Sequence, residues 1–554
     1  MTKTIHLAGP AGGGLNSIQY FIEKSFHKKG WYYYSYKNYM SRVRGGFNYI
    51  TITLSDHPLR CAESRSDFLV ALDNQAYNVQ HNLLKPEGQM LVLDIHHRVE
   101  PSDLSIVQFV KADIDQVYNH PNAYGMVAFG YLAKVFGLDA SDLSVVHMTK
   151  WSDKVNQANL AAVKYGFDRS DRLFDPPTRE AYGYRLGGNQ AIALGALAGG
   201  LNFYCAYPMA PSTGILQYLT NNEHAMHIFT EQAEDEIAAI ISTIGAASAG
   251  ARAMTGTSGG GFALMTEGIG LAGIAETPVV IANVMRPGPA TGLPTRTEQA
   301  DFNQALGAAQ GEFPRIILAP DSIEDCLYTS NRAMDLAHRF RVPVILLSDQ
   351  YLADSTSEVM TIDYARLVNH SYLADKGSDH RVYHGKTLEG GAKYAGYDES
   401  VLLYDSHIHL EDGFYSESAE VTINYKQRVF DKLERIAEVL QPPTYDGPED
   451  PDILIVSWGS NRPIVQEVLD VWEKSSLGLV HFTDLYPLKP DVMDRYKNKA
   501  KTIVNLECNG FNQFGKYLRA ETGWHYDYAI NRYDGRPLTV DYVIERLEEI
   551  HESL

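Results

Sequence analysis

The sequence predicts a multidomain α/β protein, and two observations support this fold class. Strands that are apolar at consecutive positions, such as ARAMTGT, TPVVIANV and VPVILLSD, each follow a stretch with the apolar spacing of a helix. This alternation is typical of a parallel sheet that is covered by helices on both faces. The chain has 554 residues, enough for about three or four domains of ordinary size.

The first domain is predicted over residues 1–175. TIHLAG predicts a strand, PAGGG a tight turn, and LNSIQYFIEKSFHKKG a helix that ends at a glycine. WYYYSY, FNYITITL, DFLVAL and QMLVLD predict further strands. The proline- and glycine-rich stretch DPPTREAYGYRLGG interrupts this pattern, so we place the domain boundary there.

Three further segments complete the predicted organisation. Residues 176–375 alternate helices with apolar strands and are predicted as an α/β domain. Residues 376–448 are polar and are predicted as an irregular connecting segment that ends in the linker-like QPPTYDGPEDPD. Residues 449–554 return to a strand–helix–strand pattern with DILIVSWGS, RPIVQEVLDVWEKS and GLVHFTD.

The composition restricts the class of protein. The chain carries 48 Lys and Arg against 68 Asp and Glu, a formal net charge of −20. This balance argues against nucleic-acid binding, because phosphate backbones require neutralisation by Lys and Arg. No apolar run has the length of a membrane-spanning helix, and no secretory signal is evident. The four cysteines form no CxxC pair, so we expect a cytoplasmic protein without its own iron–sulfur or zinc site.

Two glycine-containing loops of the first domain are candidate phosphate sites. GPAGGG, with Gly12 and Gly13, joins a strand to a helix, where backbone N–H groups are able to bind an anion. Its spacing differs from the dinucleotide-binding and P-loop patterns, so a plain tight turn is an equal alternative. SRVRGGF places Arg42 and Arg44 before a glycine pair. These arginines suit a phosphorylated ligand, and a solvated loop is the alternative.

Two loops of the second domain follow apolar strands directly. TSGGGF carries Thr257, Ser258 and Gly259 at the start of a helix, and RPGPATGLPT carries Arg286 and Thr295. The carboxyl ends of parallel strands are where open α/β sheets bind ligands. We therefore expect both loops to line one site, with Arg286 placed for a substrate carboxylate, although a surface ion pair is the ordinary role of a lone arginine.

One histidine pair is a candidate metal site. DSHIHLEDG places His407 and His409 near three carboxylates, a donor set that binds metals in proteins. No third histidine follows at helical spacing and the surrounding sequence is irregular, so we predict no metal in this chain.

The segment AEDEIAAIISTIGAASAG begins with acids and continues as an almost wholly apolar helix. Acidic residues suit the positive end of a helix dipole, which accounts for Glu234 and Asp235. Glu236 is the last acid before the apolar run and is therefore the one we expect to be buried. A buried carboxyl group shares a proton readily with a ring nitrogen of a ligand.

At this point the motifs resemble a known family. GNQAIALGALAGGLNFYCAYPMAPST, the Glu236 segment through TSGGGFALMTEGIG, and RPGPATGLPT resemble the α subunit of 2-oxoacid:ferredoxin oxidoreductases, most closely the 2-oxoglutarate branch with its KorA-like subunits. AGPAGGGLNSIQ and SRVRGGFNYI resemble the γ domain of the family. The chain is therefore similar to a fused γ–α subunit along nearly its whole length.

The resemblance implies a domain for each segment. Residues 1–175 correspond to the γ domain, where coenzyme A is expected to dock on Gly12, Gly13, Arg42 and Arg44. Residues 176–375 correspond to a transketolase-like domain that binds the pyrimidine ring of thiamine diphosphate. Residues 449–554 correspond to a transketolase C-terminal-like domain.

The resemblance also implies roles for individual residues. Glu236 matches the glutamate that contacts the aminopyrimidine ring and acts in catalysis, and Thr257, Ser258 and Gly259 become a wall of that cofactor pocket. Arg286 and Thr295 match residues linked to the 2-oxoacid. The family motif Tyr-Pro-Ile-Thr-Pro-Ser has Ala210 in place of its threonine, so Ser212 or Thr213 is expected to replace the lost hydroxyl group, or the substrate differs.

What the sequence lacks completes the expectation. It contains no GDG…N motif for Mg²⁺ and diphosphate and no cysteine set for a 4Fe-4S cluster. In the family a separate β subunit supplies both, and ferredoxin accepts the electrons. The predicted reaction converts 2-oxoglutarate and coenzyme A to succinyl-CoA and CO₂, or runs in reverse. The alternatives are the same chemistry on pyruvate or a branched 2-oxoacid, and a non-catalytic coenzyme A-binding or assembly subunit.

Overall fold

A computed structural model describes residues 1–40, 45–93, 105–109, 111–118, 122–180, 182–378 and 381–553. These residues form two compact units, the first from residues 1–186 and 355–361, the second from residues 187–354 and 362–554. A search of the described helices for one that is long and apolar enough to cross a membrane finds none.

The first unit is built on a mixed eight-stranded sheet with the order β6-β5-β4-β1-β3-β2-β14-β7. β1 pairs in parallel with β4 and antiparallel with β3, so the strand pairing changes from parallel to antiparallel at β1. Its elements are β1 (Thr2–Ala11), α1 (Leu15–Lys28), β2 (Tyr32–Asn38), β3 (Gly45–Ser55), β4 (Ser66–Ala71), α2 (Asn74–Gln80), β5 (Leu84–Leu93), β6 (Ser105–Phe109), α3 (Lys111–Val117), α4 (Asn122–Val135), α5 (Asp153–Phe167), β7 (Tyr184–Gly187) and, later in the chain, β14 (Ser355–Val359).

The core of the first unit lies between one sheet face and its helices. The aromatic rings of α1 meet those of α4, with Phe21 and Phe129 at 5.8 Å between ring centroids. Trp31 follows α1, is wholly buried, and donates its indole N–H to the Phe136 carbonyl at 3.2 Å. This packing fixes α1, and with it the GPAGGG turn that precedes the helix.

The second unit contains a seven-stranded sheet with the order β18-β12-β13-β11-β10-β8-β9, parallel except at β18. Its strands are short, and all except the exposed edge strand β9 are almost wholly buried. Its elements are α6 (Gly188–Ala198), β8 (Phe203–Ala206), α7 (Thr213–Met226), β9 (Phe229–Gln232), α8 (Glu236–Ser248), β10 (Ala253–Thr257), α9 (Gly259–Ile274), β11 (Val279–Met285), α10 (Phe302–Leu306), β12 (Ile316–Leu318), α11 (Ile323–Phe340), β13 (Pro343–Asp349) and α12 (Gln350–Ala353).

A five-stranded sheet with the order β15-β17-β16-β19-β20 completes the second unit. It is parallel apart from β15. Its elements are α13 (Ala419–Val439), β15 (Thr444–Asp446), β16 (Ile453–Trp458), α14 (Arg462–Val471), β17 (Leu477–Phe482), β18 (Asp484–Tyr486), β19 (Thr502–Glu507), α15 (Gln513–Thr522), β20 (Tyr528–Asn531) and α16 (Val540–Ser553).

The structure confirms the multidomain α/β class, and it differs from the predicted segments in two places. Residues 376–448, predicted as irregular, contain the 21-residue helix α13. Its polar sequence hides an amphipathic pattern, because only one stripe, with Tyr425, Val429 and Ile436, is buried. Residues 355–361, placed with the second domain, instead belong to the first unit, where β14 pairs antiparallel with β2. That pairing joins residues about 320 positions apart, which no local pattern encodes.

Candidate functional site

Three loops of the second unit begin where parallel strands end. β8 leads into the loop with Ala210 and Ser212, β10 into Ser258 and α9, and β11 into the Arg286 loop. β10 and β11 are neighbours in register, so that Thr257 lies beside Asn283. The side chains that follow these strands therefore meet at one edge of the sheet, as the strand pattern predicts.

Glu236 is the first residue of α8 and is buried, with 3% of its surface exposed. Asp235 caps the helix by accepting a hydrogen bond from the Ala238 N–H at 2.8 Å, so Glu236 itself is not used as a cap. Among the described residues no group donates a hydrogen bond to its Oε1 atom, which is buried. A buried acceptor without a donor is costly, so this oxygen is suited to a ligand that brings one.

The glycine run at the start of α9 makes room for this carboxyl group. A methyl group at Gly261 would collide with Glu236 Oε1 and with Thr257 Oγ1. Gly261 therefore allows the carboxyl group to lie against α9. The Ser258 hydroxyl group next to it is also buried and has no partner among the described residues. The structure thus brings the predicted residue Thr257 together with Glu236, and Ser258 follows Thr257 directly.

Arg286 lies at the same edge of the sheet. It donates a hydrogen bond from Nη1 to the Ala210 carbonyl at 2.6 Å. Burial lowers the pKa of its guanidinium group, and the nearby carboxylates of Asp301 and Glu236 oppose that effect. The Ala210 residue that departs from the family motif thus fixes Arg286 through its main chain, which requires no hydroxyl group.

Asp301 is a site residue that the sequence reasoning missed. It is almost fully buried and accepts a hydrogen bond from the Asn283 amide at 3.2 Å. Burial raises the pKa of its carboxyl group to about 6, against the opposing effects of Asn283 and Arg286. A methyl group at Gly259 would lie 2.6 Å from Asp301 Oδ2. The detectable signal was Asn283, a polar residue inside the apolar strand VVIANVM, because a buried amide requires a partner.

The remaining predicted residues of this site have other positions. Ser212 is buried and donates its hydroxyl proton to the Met209 carbonyl at 2.7 Å, so this proton stabilises the turn. Thr213 is the first residue of α7 and is half-buried. Thr295 is buried in the loop that leads to Asp301.

In the first unit, GPAGGG forms the turn between β1 and α1. Gly12 has φ +88°, a backbone conformation that favours glycine, and it faces open space. The Gly13 N–H is used within the turn, where it donates to the Pro10 carbonyl at 3.0 Å. Arg42 and Arg44 lie outside the described residues.

The two histidines of DSHIHLEDG have different surroundings. His407 is exposed and pairs with Asp405 at 2.6 Å. His409 is buried and packs on the Tyr383 ring, with 4.1 Å between ring centroids. Across the described part of the chain, no group of three or more His, Cys, Asp or Glu side chains is arranged to hold a metal ion.

The arrangement has a definite chemical capacity. The buried carboxyl oxygen of Glu236 can accept a hydrogen bond from a ligand N–H. The positive charge of Arg286 is close enough to Glu236 to interact with it electrostatically. Three apolar side chains of α8 and α9, the helices that carry Glu236 and Gly261, are exposed: Ile237, Ile241 and Leu264.

The comparisons with known proteins agree on one family. Residues 4–169 match the family described as pyruvate ferredoxin/flavodoxin oxidoreductase. Residues 194–401 match its thiamine diphosphate-binding family. The α subunit of the Sulfolobus 2-oxoacid:ferredoxin oxidoreductase is 28% identical over 98% of this chain and 96% of its own length.

Two further relatives carry more specific names. The 2-oxoglutarate synthase subunit KorA of Archaeoglobus fulgidus is 33% identical over 58% of this chain and 87% of its own length. The solved 2-oxoglutarate:ferredoxin oxidoreductase of Magnetococcus marinus, with 2-oxoglutarate, coenzyme A and succinyl-CoA bound, superposes with a TM-score of 0.91. It is 26% identical and covers 99% of both chains.

The raised pKa of Asp301 predicts a pH-dependent stability. Because its folded-state pKa of about 6 exceeds the ordinary 3.8, the folded chain binds the proton more tightly, and stability falls as the pH rises from about 4 through 6. Asp301→Asn removes this loss and should raise the free energy of unfolding by roughly 3 kcal/mol at pH 7.5 but only by about 1 kcal/mol at pH 4.5, where part of the loss has occurred. Denaturant unfolding at both pH values measures it. The exposed control Asp450→Asn should show no such difference, and equal effects of both variants would contradict the assignment.

Proposed function

Because the chain belongs to the 2-oxoacid:ferredoxin oxidoreductase family, we propose that Glu236 binds the aminopyrimidine ring of thiamine diphosphate in an enzyme acting on 2-oxoglutarate. The chain is an oxidoreductase subunit with a thiamine diphosphate-binding domain. The observation that carries the proposal is the buried Glu236 Oε1, which lacks a donor among the described residues.

The residues around Glu236 fit the cofactor ring. An aminopyrimidine ring nitrogen that carries a proton is the donor that Oε1 lacks, and a buried carboxyl group holds such a proton strongly. Gly261 keeps the approach open, because any side chain there would displace the carboxyl group. When bound, thiamine diphosphate supplies the electron sink for decarboxylation. Glu236 holds the proton at the ring nitrogen, and the wall of Thr257 and Ser258 limits access of water.

Arg286 is proposed to anchor the substrate. Its planar guanidinium group suits a carboxylate, and the hydrogen bond to the Ala210 carbonyl fixes its direction. Thr295, in the same loop as Arg286, is proposed to line the substrate site. Ser212 and Thr213 are proposed to line the opposite side of that site. Asp301 supplies the nearby counter-charge before substrate binds. The Archaeoglobus and Magnetococcus relatives named for 2-oxoglutarate support that substrate over other 2-oxoacids.

Coenzyme A is proposed to bind to the first unit and to accept the acyl group there. The relative from Magnetococcus binds coenzyme A, and the GPAGGG turn presents Gly12 in an open position at the start of α1. Gly13, Arg42 and Arg44 are proposed to contribute to the phosphate contacts. The products are succinyl-CoA and CO₂, and the electrons leave through an iron–sulfur cluster to ferredoxin.

A β subunit is proposed to complete the site. The chain lacks the GDG…N motif for Mg²⁺ and diphosphate, and its four cysteines are buried and dispersed. The side chains of Ile237, Ile241 and Leu264 are exposed on α8 and α9, the helices that carry Glu236 and Gly261, and we propose that the partner with the diphosphate site docks there. Mg²⁺ and the 4Fe-4S cluster are assigned to that partner.

Replacing Glu236 by Gln tests the proposed function. Glutamine keeps the size of the side chain but holds a ring proton poorly, so turnover by the assembled enzyme should fall at least about 100-fold. Oxidation of 2-oxoglutarate with a dye acceptor measures it, and size-exclusion chromatography checks assembly. Glu234→Gln, in an exposed position two residues earlier, is the matched control and should retain activity. An active Glu236→Gln enzyme would contradict the proposal.

Replacing Arg286 by Ala tests the substrate assignment. Loss of a buried, charge-assisted contact should raise KM and lower kcat/KM for 2-oxoglutarate about 100-fold, and Arg286→Lys should retain part of the activity. Steady-state kinetics on 2-oxoglutarate, pyruvate and a branched 2-oxoacid measure both effects. Unchanged kinetics would remove Arg286 from the substrate site, and a higher kcat/KM of the unmodified enzyme for pyruvate would favour the pyruvate alternative.

A further inference from the structure

A buried charged cluster lies at the edge of the seven-stranded sheet opposite to Glu236. Glu276 and Arg341 precede the neighbouring parallel strands β11 and β13, which start in register at Val279 and Pro343. Both residues adopt left-handed backbone conformations, with φ 49° and 53°, that non-glycine residues rarely adopt. The chain thus retains two buried charges at strained positions, which indicates that their placement matters.

This basic cluster, which consists of Glu276, Arg341, Arg428 and Lys432, contains more positive than negative charge. All four residues are buried. Glu276 pairs with Arg428 through Oε1, and with Lys432 at 2.6 Å and Arg341 at 3.3 Å through Oε2. One carboxylate therefore faces three cations. Burial lowers the pKa of Lys432 to about 7 even though Glu276 opposes the shift, so the surplus charge is not fully relieved at neutral pH.

A cavity of about 50 Å³ adjoins this cluster, lined among others by Thr277, His338 and Arg341. Two hydrogen-bond donors of its lining are buried without a partner among the described residues, the Thr277 hydroxyl group and the Nε atom of Arg341. The other nitrogens of Arg341 are used, because Nη1 donates to the Val382 carbonyl and Nη2 pairs with Glu276. Burial lowers the pKa of His338 to about 3, so its neutral ring provides a further polar group.

The surplus charge and the unused donors have one common explanation. A buried cation without a counter-charge is strongly disfavoured, and so is a buried donor without an acceptor. Loss of the Lys432 proton would reduce the charge but would leave Thr277 and Arg341 Nε unsatisfied. An anion in the cavity satisfies the donors and reduces the charge together. Glu276 does not repel it effectively, because three cations already neutralise its carboxylate.

We propose that this cavity binds a small inorganic monovalent anion, of the size of chloride or bicarbonate. A cavity volume of about 50 Å³ is large enough for one such ion. The bound anion lies between the sheet edge and the segment around Val382. It stabilises the second unit and has no part in turnover, because the Glu236 site lies at the opposite strand ends.

Thermal unfolding of the full chain tests the proposal. At constant ionic strength, replacing gluconate by chloride should raise Tm saturably by about 2 °C or more, because the anion binds only the folded chain. A parallel series with bicarbonate separates the two ions. Thr277→Val should weaken the apparent anion affinity about fivefold through loss of one hydrogen bond. Thr422→Val, at a half-buried position in the first turn of α13, is the matched control and should leave the anion effect unchanged.

Anomalous diffraction from crystals soaked in bromide provides a second measurement, independent of whether the variant folds. A peak is expected in the cavity next to Thr277 and Arg341. An empty cavity, or a Tm that does not respond to either anion, would overturn the proposal and leave loss of the Lys432 proton as the compensation. An anion effect that Thr277→Val leaves unchanged would also overturn it. Neither measurement depends on the activity, so the proposed function is tested separately.

Discussion

The site depends on a carboxyl oxygen that is buried and receives no hydrogen bond from the described residues. Leaving an acceptor in this state costs about 1–3 kcal/mol, and several features of the second unit keep it there. Asp235 takes the role of helix cap, so that Glu236 remains free of the backbone. Gly261 leaves room where any other residue would collide with the carboxyl group. The chain thus maintains a local cost that a protonated ligand nitrogen would remove.

The two edges of the seven-stranded sheet have different electrostatic character. At the carboxyl ends of the strands, Arg286 interacts electrostatically with Asp301 and Glu236, and Glu236 Oε1 lacks a hydrogen-bond donor among the described residues. Such an arrangement is expected of a site that receives a ligand. At the amino ends, the basic cluster forms ion pairs but retains surplus positive charge, and Arg341 Nε has no partner among the described residues. The same parallel topology produces both edges, because every strand except the antiparallel β18 starts at one edge and ends at the other.

Much of the architecture could be predicted from the sequence because burial leaves a clear pattern. The apolar runs predicted β10, β11 and β13 of the seven-stranded sheet, and the position of Glu236 before an apolar helix predicted its burial. The pairing of β14 with β2 could not be predicted, because the contact is long-range and the five residues of β14 carry no information on their partner. The burial of Asp301 could not be predicted because it lies in a loop, where neither the periodicity nor the length of an apolar run indicates which residues are buried. The contact between Ala210 and Arg286 could not be predicted either, because it uses the main-chain carbonyl of Ala210 and a sequence distinguishes residues only by their side chains.

The central claim is that Glu236 Oε1 accepts its missing hydrogen bond from thiamine diphosphate. A crystal structure of the assembled enzyme with the cofactor tests this most directly. The account predicts a distance of about 2.6–3.2 Å between Oε1 and a ring nitrogen of the aminopyrimidine, with the diphosphate held by the partner subunit. A cofactor whose pyrimidine ring contacts other residues, with Glu236 Oε1 still unpaired, would contradict it.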